Sequence, residues 1–457
     1  MKVAFDYLGP EIRPAPIADV QAIAELRAVL RQAGLVRFGR QDEQRVRGDV
    51  QVTADHAMYT PEFFADPHPA YAQLREQAPV QRLRNPNGLE YWLVTRYDEA
   101  RAAFADGRLS KDPRRAWDAL RAAGVVSGEP GEATFDLHTT DPPEHTRLRG
   151  LMGRAFTSRR VAGLRERTQQ IADELLDAIA ERQTADLIED YAYPLSLTVI
   201  AELLGVPSID HGRFRTWTIA AMHPPFVTDA PMSREEGRRL LREYVVELVA
   251  QKRAQARTGG QDDLLTALLA AGDDGDQLTA AELVALTQQL LFAGHEPTTN
   301  LIGNGMAALL RHPDQLATLR ERPELLPAAI EELLRYDGPT ARSSPSYAVD
   351  DFTIGDTVVP AGSIVIVGIA AANRDPRRFA EPDRLDITRG DDDRHLAFGH
   401  GLHRCLGAAL ARMEGSVAIG TLLDRFPHLS LACAPEELSW LPFPVFRGLA
   451  TLPVRVG

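Results

Sequence analysis

Residues 398–407 read Phe-Gly-His-Gly-Leu-His-Arg-Cys-Leu-Gly and place Cys405 between a glycine-rich segment and a predicted helix that begins near residue 408. A cysteine there meets the free backbone N–H groups of a helix N-terminus, where a thiolate is electrostatically favoured. The glycines let the backbone approach a flat ligand and point N–H groups at the sulfur. One thiolate is too few ligands for zinc or an iron–sulfur cluster, but it suffices as the single protein ligand of a haem iron.

An isolated cysteine in a glycine-rich turn is more often a buried structural residue. Here, however, the spacing Phe-x-x-Gly-x-His-x-Cys-x-Gly resembles the haem-ligand loop of the cytochrome P-450 superfamily, and further motifs follow in the order of that family. The resemblance implies that Cys405 is the axial ligand of haem b. It also implies that Phe398, His403 and Gly407 belong to the haem-binding loop.

The composition is that of a soluble globular enzyme, with 457 residues of which 44% are hydrophobic and 25% are charged. The net charge of −13 argues against a nucleic-acid partner. The two cysteines form no disulfide framework, and the N-terminus lacks the apolar segment of a signal peptide. The longest apolar run, at 358–372, is too short and too broken by proline and glycine to span a bilayer. We therefore expect a cytoplasmic protein with no membrane partner.

Helical periodicity dominates the chain, and strand-like segments are short and few. The pattern predicts helices at 159–182, 195–204, 235–257 and 279–311, and a short helix within a surface connection at 259–276. Predicted strands lie at 91–95, 347–354, 358–359, 364–369 and 449–456. The expected fold is mainly α with a small β-rich subdomain, in agreement with the cytochrome P-450 fold.

The resemblance covers about residues 58–457, which we interpret as one haem-thiolate catalytic domain. Residues 1–57 are then an N-terminal extension in which Val20, Ile23 and Leu26 fall on one face of a possible helix. The polar segment 39–55 has little to bury and is expected to be disordered. We expect the extension to be dispensable for haem binding; a lid or a partner-docking arm is the alternative.

The predicted helix 279–311 begins with the capping box Thr279-x-x-Glu282 and has Pro297 near its middle. A proline in a helix interior costs ~3 kcal/mol, because it removes a backbone hydrogen bond and clashes with the preceding turn. Such a costly break in an otherwise strong helix favours a functional role.

Around that proline, the segment Ala-Gly-His-Glu-Pro-Thr-Thr at 293–299 resembles the oxygen-binding kink of the family. By this resemblance Ala293 and Gly294 make room over the haem, and Glu296 is the acid of an acid–alcohol pair. The family's threonine is replaced by the proline, and Thr298 lies about 100° further round the helix, where it can bond to the Gly294 carbonyl. If Thr298 cannot take the place of the family's threonine beside dioxygen, protons must come through Glu296, ordered water or the substrate.

Glu332 and Arg335 are spaced i, i+3 and share one helix face, where they can pair or jointly bind a third group. On an ordinary helix such a pair is usually solvated. In this position it resembles the ExxR pair of the family, whose role is structural because it grips the loop before the haem cysteine. Arg384 matches the arginine that completes that network.

Haem carries two carboxylates that need cations or N–H donors when they are buried. His145 and Arg149, spaced i, i+4, resemble the propionate-binding pair of bacterial members. Arg342 and His403 match the other two propionate contacts. Taken singly, each would be interpreted as an ordinary surface arginine or packed histidine.

The resemblance implies a monooxygenase that uses dioxygen to oxidise a medium-sized apolar or natural-product substrate. The sequence shows no flavin-binding or iron–sulfur pattern, so electrons are expected from a separate ferredoxin and ferredoxin reductase. Segments 217–231, 343–344 and 442–446 are expected to shape the substrate pocket. The substrate, the position oxidised and the oligomeric state stay open.

Three alternatives also stay open. Oxidative coupling or ring closure without net oxygen insertion is mildly favoured by the missing threonine. Peroxide-driven chemistry would bypass the electron partners. A non-catalytic helper subunit is disfavoured, because such relatives have typically lost the haem cysteine and Cys405 is present.

Overall fold

The computed structural model describes residues 56–130, 136–206, 211–224, 230–256, 263–270, 277–390 and 395–457. Nearly all of the predicted extension 1–57 lies outside these residues. Parts of the predicted connection 259–276 also lie outside them, but its short helix is present at Leu264–Ala270.

The helices of the described residues are numbered here in chain order. They are α1 Pro61–Ala65, α2 His68–Gln77, α3 Tyr97–Ala105, α4 Trp117–Ala122, α5 Glu144–Ala155, α6 Ser158–Ile179, α7 Tyr193–Leu204, α8 His211–Met222, α9 Arg234–Ala256, α10 Leu264–Ala270, α11 Ala280–Arg311, α12 Pro313–Glu321, α13 Leu326–Asp337, α14 Ile369–Ala372 and α15 Ala408–Arg425. Short 3-10 turns lie at His56–Tyr59, Pro113–Ala116, Pro323–Leu325, Gly401–His403 and Pro435–Glu437, and a π-helical turn at Ile188–Ala192 leads into α7.

The strands are short and form three small sheets. They are β1 Val80–Arg84, β2 Glu90–Val94, β3 Leu109–Ser110, β4 Thr184–Asp186, β5 Ser346–Ala348, β6 Phe352–Ile354, β7 Thr357–Val359, β8 Ile364–Val367, β9 Ser430–Leu431 and β10 Pro453–Arg455. The largest sheet has the order β1-β2-β8-β5-β3, with β2 and β8 parallel and the other neighbours antiparallel. A second sheet has the order β4-β10-β9, and β6 pairs with β7.

Helix α11 is the central element of the core. Every residue from Leu301 to Leu309 is buried, and the helix packs against α7, α9, α13 and α15. A helix segment that is buried on all sides in this way packs against other elements on every side. Its first half borders a large cavity instead, so one helix joins the core to the candidate site.

The predicted helix boundaries are confirmed where a cap specifies them. Thr279 Oγ1 accepts from the Glu282 N–H at 3.2 Å, and the Glu282 carboxylate accepts from the Thr279 N–H at 2.8 Å. The helix then ends at Arg311, as predicted. Helix α7 ends at Gly205, whose φ of 67° is the left-handed conformation that favours glycine.

The boundaries of the observed strands differ from the predicted ones. The segment 347–354 divides into β5 and β6, and 364–369 ends at Val367 because Ile369 already begins α14. Strand β1 was not predicted, since Arg82 and Arg84 make it polar. It is an edge strand whose two arginines pair with Glu90 on β2. None of the described helices is long and apolar enough to cross a membrane.

The start of the described chain is fastened to its C-terminal part. Met58 is 1% exposed, and Arg447 donates to the carbonyls of Phe64 at 2.7 Å and Ala65 at 3.2 Å. The same guanidinium lies over the Trp440 ring at 3.5 Å. This fastening brings the aromatic side chains of residues 59–71 beneath the central sheet, next to the cavity.

Candidate active site

The segment 398–407 is a closed loop that presents its cysteine to the cavity. The Cys405 N–H donates to the Phe398 carbonyl at 2.9 Å, and Gly399 and Gly401 have φ of 67° and 73°. A Cβ on Gly401 would lie 2.7 Å from the carbonyl oxygen of Phe104. Glycine is therefore required at this position both by the backbone conformation and by the close approach of helix α3.

The Cys405 sulfur is exposed to the cavity but enclosed by protein. Desolvation raises the pKa of the thiol above its usual value, while the Gly407 N–H and the cations Arg149, Arg412 and Arg404 act in the opposite direction. The helix N-terminus, which the sequence predicted to favour the thiolate, is therefore only one of several contributions to the pKa of this thiol. A bound iron would displace the thiol proton outright.

A cavity of about 910 Å³ extends from Cys405 to helix α11. Its wall is mostly apolar and comes from α7, α8, α9, α11 and the chain after Leu441; examples are Ile200, Phe214, Leu241, Val284 and Phe446. The predicted pocket segments are represented by Thr218, Met222, Ser343, Ser344 and Phe443. The enclosed, apolar character suits an organic ligand of substantial size.

Helix α11 contributes Ala293, Gly294, Pro297 and Thr298 to the cavity wall. Thr298 Oγ1 donates to the Gly294 carbonyl at 3.5 Å, as the sequence predicted. Helix packing gives a second reason for the small size of Gly294, besides the expected room over the haem, which stays a prediction. A Cβ there would lie 2.4 Å from Ile200 of α7, so the glycine allows two helices to pack closely.

Glu296 lies on the opposite side of the helix from the cavity, because it is two residues, or about 200°, away from both Gly294 and Thr298. It is 5% exposed and is not among the described residues that line the cavity. Asn300 Nδ2 donates to its carboxylate at 3.4 Å. Burial raises the pKa of Glu296, while Arg215 and the Asn300 hydrogen bond act in the opposite direction.

Three of the four predicted propionate ligands line the cavity, namely Arg149, Arg342 and His403. His145 does not; its fully buried ring packs against the His403 ring with centroids 4.2 Å apart. Both ring nitrogens of His145 have no hydrogen-bond partner among the described residues. Arg149 Nη2 donates to the Arg404 carbonyl at 2.8 Å, on the cysteine loop.

Arg342 also contacts a group of aromatic residues. Its Nε donates to the Tyr71 hydroxyl at 2.9 Å, and its Nη1 lies 3.4 Å from the hydroxyls of Tyr59 and Tyr91. The guanidinium also lies over the Phe63 ring at 5.5 Å. We call Tyr59, Tyr71 and Tyr91 the tyrosine cage. The cage solvates part of the charge, but Nη2 of Arg342 is buried with no hydrogen-bond partner among the described residues, so the propionate contact stays a prediction.

Lys111 also lies on the cavity wall, and the sequence analysis did not predict it. It is 8% exposed, and its Nζ donates to neutral oxygens: the Ser344 carbonyl at 3.1 Å, the Ser344 hydroxyl at 3.2 Å and the Pro345 carbonyl at 3.3 Å. Burial lowers the pKa of Lys111 to about 8. Its positive charge contributes to the lowered pKa of His403. The sequence does carry a signal, since lysine is rare in this arginine-rich chain.

The ExxR pair is buried and closely bonded, as predicted. Arg335 donates to the Glu332 carboxylate at 2.7 and 2.8 Å. It also donates to the carbonyls of Asn373 at 3.0 Å, Pro382 at 2.8 Å and Arg384 at 3.2 Å. One guanidinium therefore fixes three points of the chain between α14 and the cysteine loop.

The third member of this network is Arg389 and not Arg384. Arg389 Nε lies 3.2 and 3.3 Å from the Glu332 carboxylate oxygens. The Arg384 side chain is 59% exposed and pairs with Glu381 at 3.3 Å, so only its carbonyl takes part. The prediction for the Arg384 side chain is wrong, because that side chain points to solvent while Arg389 lies only 13% exposed over Glu332.

A second ion cluster, also missed from the sequence, fastens the helix that follows Cys405. Glu331 of α13 accepts from Arg412 of α15 twice, at 2.6 Å each, and lies 3.1 Å from His395 Nε2. The Arg412 guanidinium covers the Phe398 ring at 4.5 Å. These contacts hold both ends of the cysteine loop to α13.

The sequence model of the cytochrome P-450 family matches residues 129–438. This chain belongs to the cytochrome P-450 family. It is 48% identical over 403 residues to cytochrome P-450 107B1 of Saccharopolyspora erythraea, covering 86% of this chain and 96% of that protein. It is 44% identical over 408 residues to the vitamin D(3) 25-hydroxylase of Pseudonocardia autotrophica, covering 89% and 97%.

Among solved structures, the myxobacterial cytochrome P-450 CYP267B1 in complex with myristic acid matches this P-450 with a TM-score of 0.80 at 39% identity, covering 88% of this chain and 99% of that one. The mainly helical P-450 fold is thereby confirmed. The protein is a haem-thiolate monooxygenase with haem b as its cofactor. The comparisons do not favour the non-catalytic helper alternative.

The residues of this P-450 fit haem b. The loop presents one sulfur, that of Cys405, to the cavity. His145 has unpartnered buried nitrogens, and Lys111 is a buried cation with neutral partners. Such groups are costly without a counterpart, and two carboxylates would supply one.

We predict that Cys405→Ser abolishes thiolate ligation of the haem, because Cys405 is the cysteine that lines the cavity. The measurement is the absorbance of the reduced carbon monoxide complex, whose thiolate band should be lost. Cys433→Ser is the matched control and should keep the band. Loss of the band in Cys433→Ser with retention in Cys405→Ser would contradict the assignment.

Proposed function

We propose that this P-450 hydroxylates a medium-sized apolar or natural-product molecule with dioxygen and with electrons from a separate ferredoxin and ferredoxin reductase. The observation that carries the proposal is the mostly apolar cavity of about 910 Å³ that joins Cys405 to Ala293 and Thr298 of α11. The vitamin D(3) 25-hydroxylase relative and the myristic acid complex supply support, since both names describe apolar molecules of that class.

Haem bound at this site would supply the activation of dioxygen by a thiolate-ligated iron. Cys405 would bind the iron, and Arg149, His403 and Lys111 would hold the carboxylates. His145 is expected to complete that set through its unpartnered ring nitrogens. The apolar residues of α8 and α9 would orient the substrate and exclude water.

Two residues of α11, Thr298 and Glu296, are the candidates for delivering protons to the reaction. Thr298 is on the cavity wall, but its hydroxyl proton is directed back to the Gly294 carbonyl. Glu296 is a buried carboxyl with a raised pKa, and the Arg215–Glu189 ion pair at 2.8 Å lies on its outer side. We propose that Glu296 is the proton donor of the relay and that Thr298 contributes less.

A face for the electron donor is proposed on the outer side of the cysteine loop. Leu402 is 47% exposed there, and Arg101 and Arg404 are exposed nearby, with both charges lowering the pKa of His400. A positive rim around an apolar residue suits an acidic ferredoxin.

The proposed function is tested with a panel of apolar natural products, a ferredoxin and its reductase. Binding should shift the haem absorbance, and turnover should add one oxygen atom to the product mass. Loss of two hydrogens without added oxygen would favour oxidative coupling. Binding of small polar compounds in preference to apolar ones would contradict the proposal.

For the protons, Glu296→Gln should slow turnover severalfold and increase the solvent deuterium isotope effect, because an amide cannot donate the carboxyl proton. Thr298→Ala should retain most of the turnover with haem content unchanged. The measurement is substrate oxidised per NADPH consumed. A collapse of this ratio in Thr298→Ala, with Glu296→Gln unaffected, would reverse the assignment.

For the haem carboxylates, Lys111→Gln should accelerate haem loss to apomyoglobin roughly tenfold or more, since it removes a charge-assisted hydrogen bond. Lys111→Arg should restore much of the retention. Lys252→Gln is the matched control, because this second buried lysine pairs with Asp263 at 2.6 Å and does not line the cavity. Faster haem loss in Arg342→Gln but not in Lys111→Gln would contradict the role of Lys111 and assign the carboxylate contact to Arg342.

A further inference from the structure

A second titratable residue lies next to Glu296 on helix α11. The His295 ring is fully buried, and its Nε2 lies 3.8 Å from Glu296 Oε2. Successive side chains of a helix project about 100° apart, so adjacency in the sequence does not by itself bring two such groups together. The contact between these two side chains is therefore a feature of how the helix packs against its neighbours.

The backbone fixes which nitrogen of the His295 ring carries the hydrogen. Nδ1 lies 2.6 Å from the Leu291 carbonyl, one turn earlier on the helix. Because a carbonyl oxygen only accepts, Nδ1 is the donor, and in the neutral ring Nε2 is left as an acceptor. Nε2 is buried and has no hydrogen-bond partner among the described residues. A buried acceptor without a donor is costly, and the Glu296 carboxyl is placed to supply one.

Burial favours the neutral form of both groups. It lowers the pKa of His295 to about 4 and raises the pKa of Glu296. The positive charge of Arg215 on α8 acts on both, since it disfavours a charged imidazole and favours a carboxylate. Arg215 is itself paired with Glu189 at 2.8 Å and lies over the Tyr193 ring at 4.5 Å. A neutral imidazole and a protonated carboxyl are an acceptor and a donor, which is the combination that forms a hydrogen bond.

The two oxygens of the Glu296 carboxyl have different neighbours. Asn300 Nδ2 donates to Oε1 at 3.4 Å, so Oε2, on the side of His295, is the oxygen that can carry the acid proton. The distance from Oε2 to Nε2 exceeds that of a hydrogen bond by about 1 Å. The terminal torsion of a glutamate is broad, so a small rotation of the carboxyl closes this gap. Catalytic hydrogen bonds are often long before a substrate binds and shorten afterwards.

Three aromatic rings restrain the orientation of the imidazole. The rings of Tyr193, Phe214 and Phe292 lie edge-on to His295, with centroids 5.7, 5.6 and 6.2 Å away. Phe214 and Phe292 also line the cavity. The imidazole therefore lies one layer behind the cavity wall, and its Nε2 is held towards Glu296.

We infer that His295 is a positioning residue for proton delivery: its Nε2 accepts the acid proton of Glu296 and holds the carboxyl protonated and oriented between turnovers. The ring does not pass the proton onward, because its other nitrogen donates to the Leu291 carbonyl, which does not take up a proton. This inference rests on the proposed role of Glu296 as the proton donor, and it adds the residue that prepares this donor.

An infrared titration of the haem-loaded protein without substrate measures the hydrogen bond directly. The band of the protonated Glu296 carboxyl is identified by its absence in Glu296→Gln, and its intensity against pH gives the pKa of Glu296. His295→Phe keeps an aromatic ring but loses the acceptor. The pKa of Glu296 should then fall by about one unit, because the protonated form loses its hydrogen bond. His295→Gln loses the ring but keeps an acceptor, so this pKa should stay within about half a unit.

His312→Phe is the matched control on the same helix. His312 Nδ1 lies 2.8 Å from the Ala308 carbonyl, and its ring lies edge-on to Tyr336 with centroids 5.6 Å apart. The backbone bond and the aromatic contact therefore resemble those of His295. The residue lies roughly 24 Å further along the helix from Glu296, so the Glu296 band should be unchanged in this variant.

Turnover of the tightest-binding member of the apolar panel gives a second readout. The donor must be protonated, so turnover is lost as the pH rises through the pKa of Glu296. Since His295→Phe lowers that pKa, the loss should begin about one pH unit lower in this variant. In His295→Gln and His312→Phe it should begin at the same pH as in the unaltered protein.

An unchanged pKa of Glu296 in His295→Phe would overturn the inference. A fall in His295→Gln as large as that in His295→Phe would also overturn it, because the packing of the ring would then be the cause. Normal turnover in Glu296→Gln, with the infrared shifts as predicted, would overturn the proposed proton donor and leave the hydrogen bond itself in place.

Discussion

A buried charge must meet an opposite charge or a full set of hydrogen bonds, and this constraint organises the molecule. Outside the cavity, three buried or half-buried ion clusters have their partners within the protein. Glu332 takes Arg335 and Arg389, Glu331 takes Arg412, and Lys252 takes Asp263. On the cavity wall, the Lys111 ammonium donates to the neutral oxygens of Ser344 and Pro345. A carboxylate of the cofactor would supply the opposite charge there.

The ion clusters outside the cavity determine where the reactive sulfur lies. Arg335 fixes the chain before the cysteine loop, and Glu331 fixes the helix after it. Between these two points, the Cys405 N–H donates to the Phe398 carbonyl and closes the loop. Gly401 packs closely against helix α3 and fixes the loop from the other side. Because both clusters start from α13, one helix specifies the position of the whole loop. Removing Glu332 would take the carboxylate partner from the buried Arg335 guanidinium, and removing Glu331 would take away the carboxylate that accepts from Arg412, so the loop would lose support.

Local patterns predicted the fold and the cysteine loop well. The capping box, the helix-ending glycine and the ExxR spacing act over a few residues, so the sequence alone contains them. Contacts between distant segments were not predictable in this way. The tyrosine cage around Arg342 was not predicted, because it comes from residues 59, 71 and 91, far away in the sequence. Lys111 was missed because its role depends on the backbone of Ser344 and Pro345.

The central claim is that the cations of the cavity wall, Lys111 among them, hold the carboxylates of the cofactor. A crystal structure of the haem-loaded protein tests it most directly. We predict Lys111 Nζ at roughly 3 Å from a propionate oxygen, with Arg149 on the other carboxylate. A structure in which Lys111 stays on Ser344 and Pro345, while other groups alone contact the propionates, would contradict it.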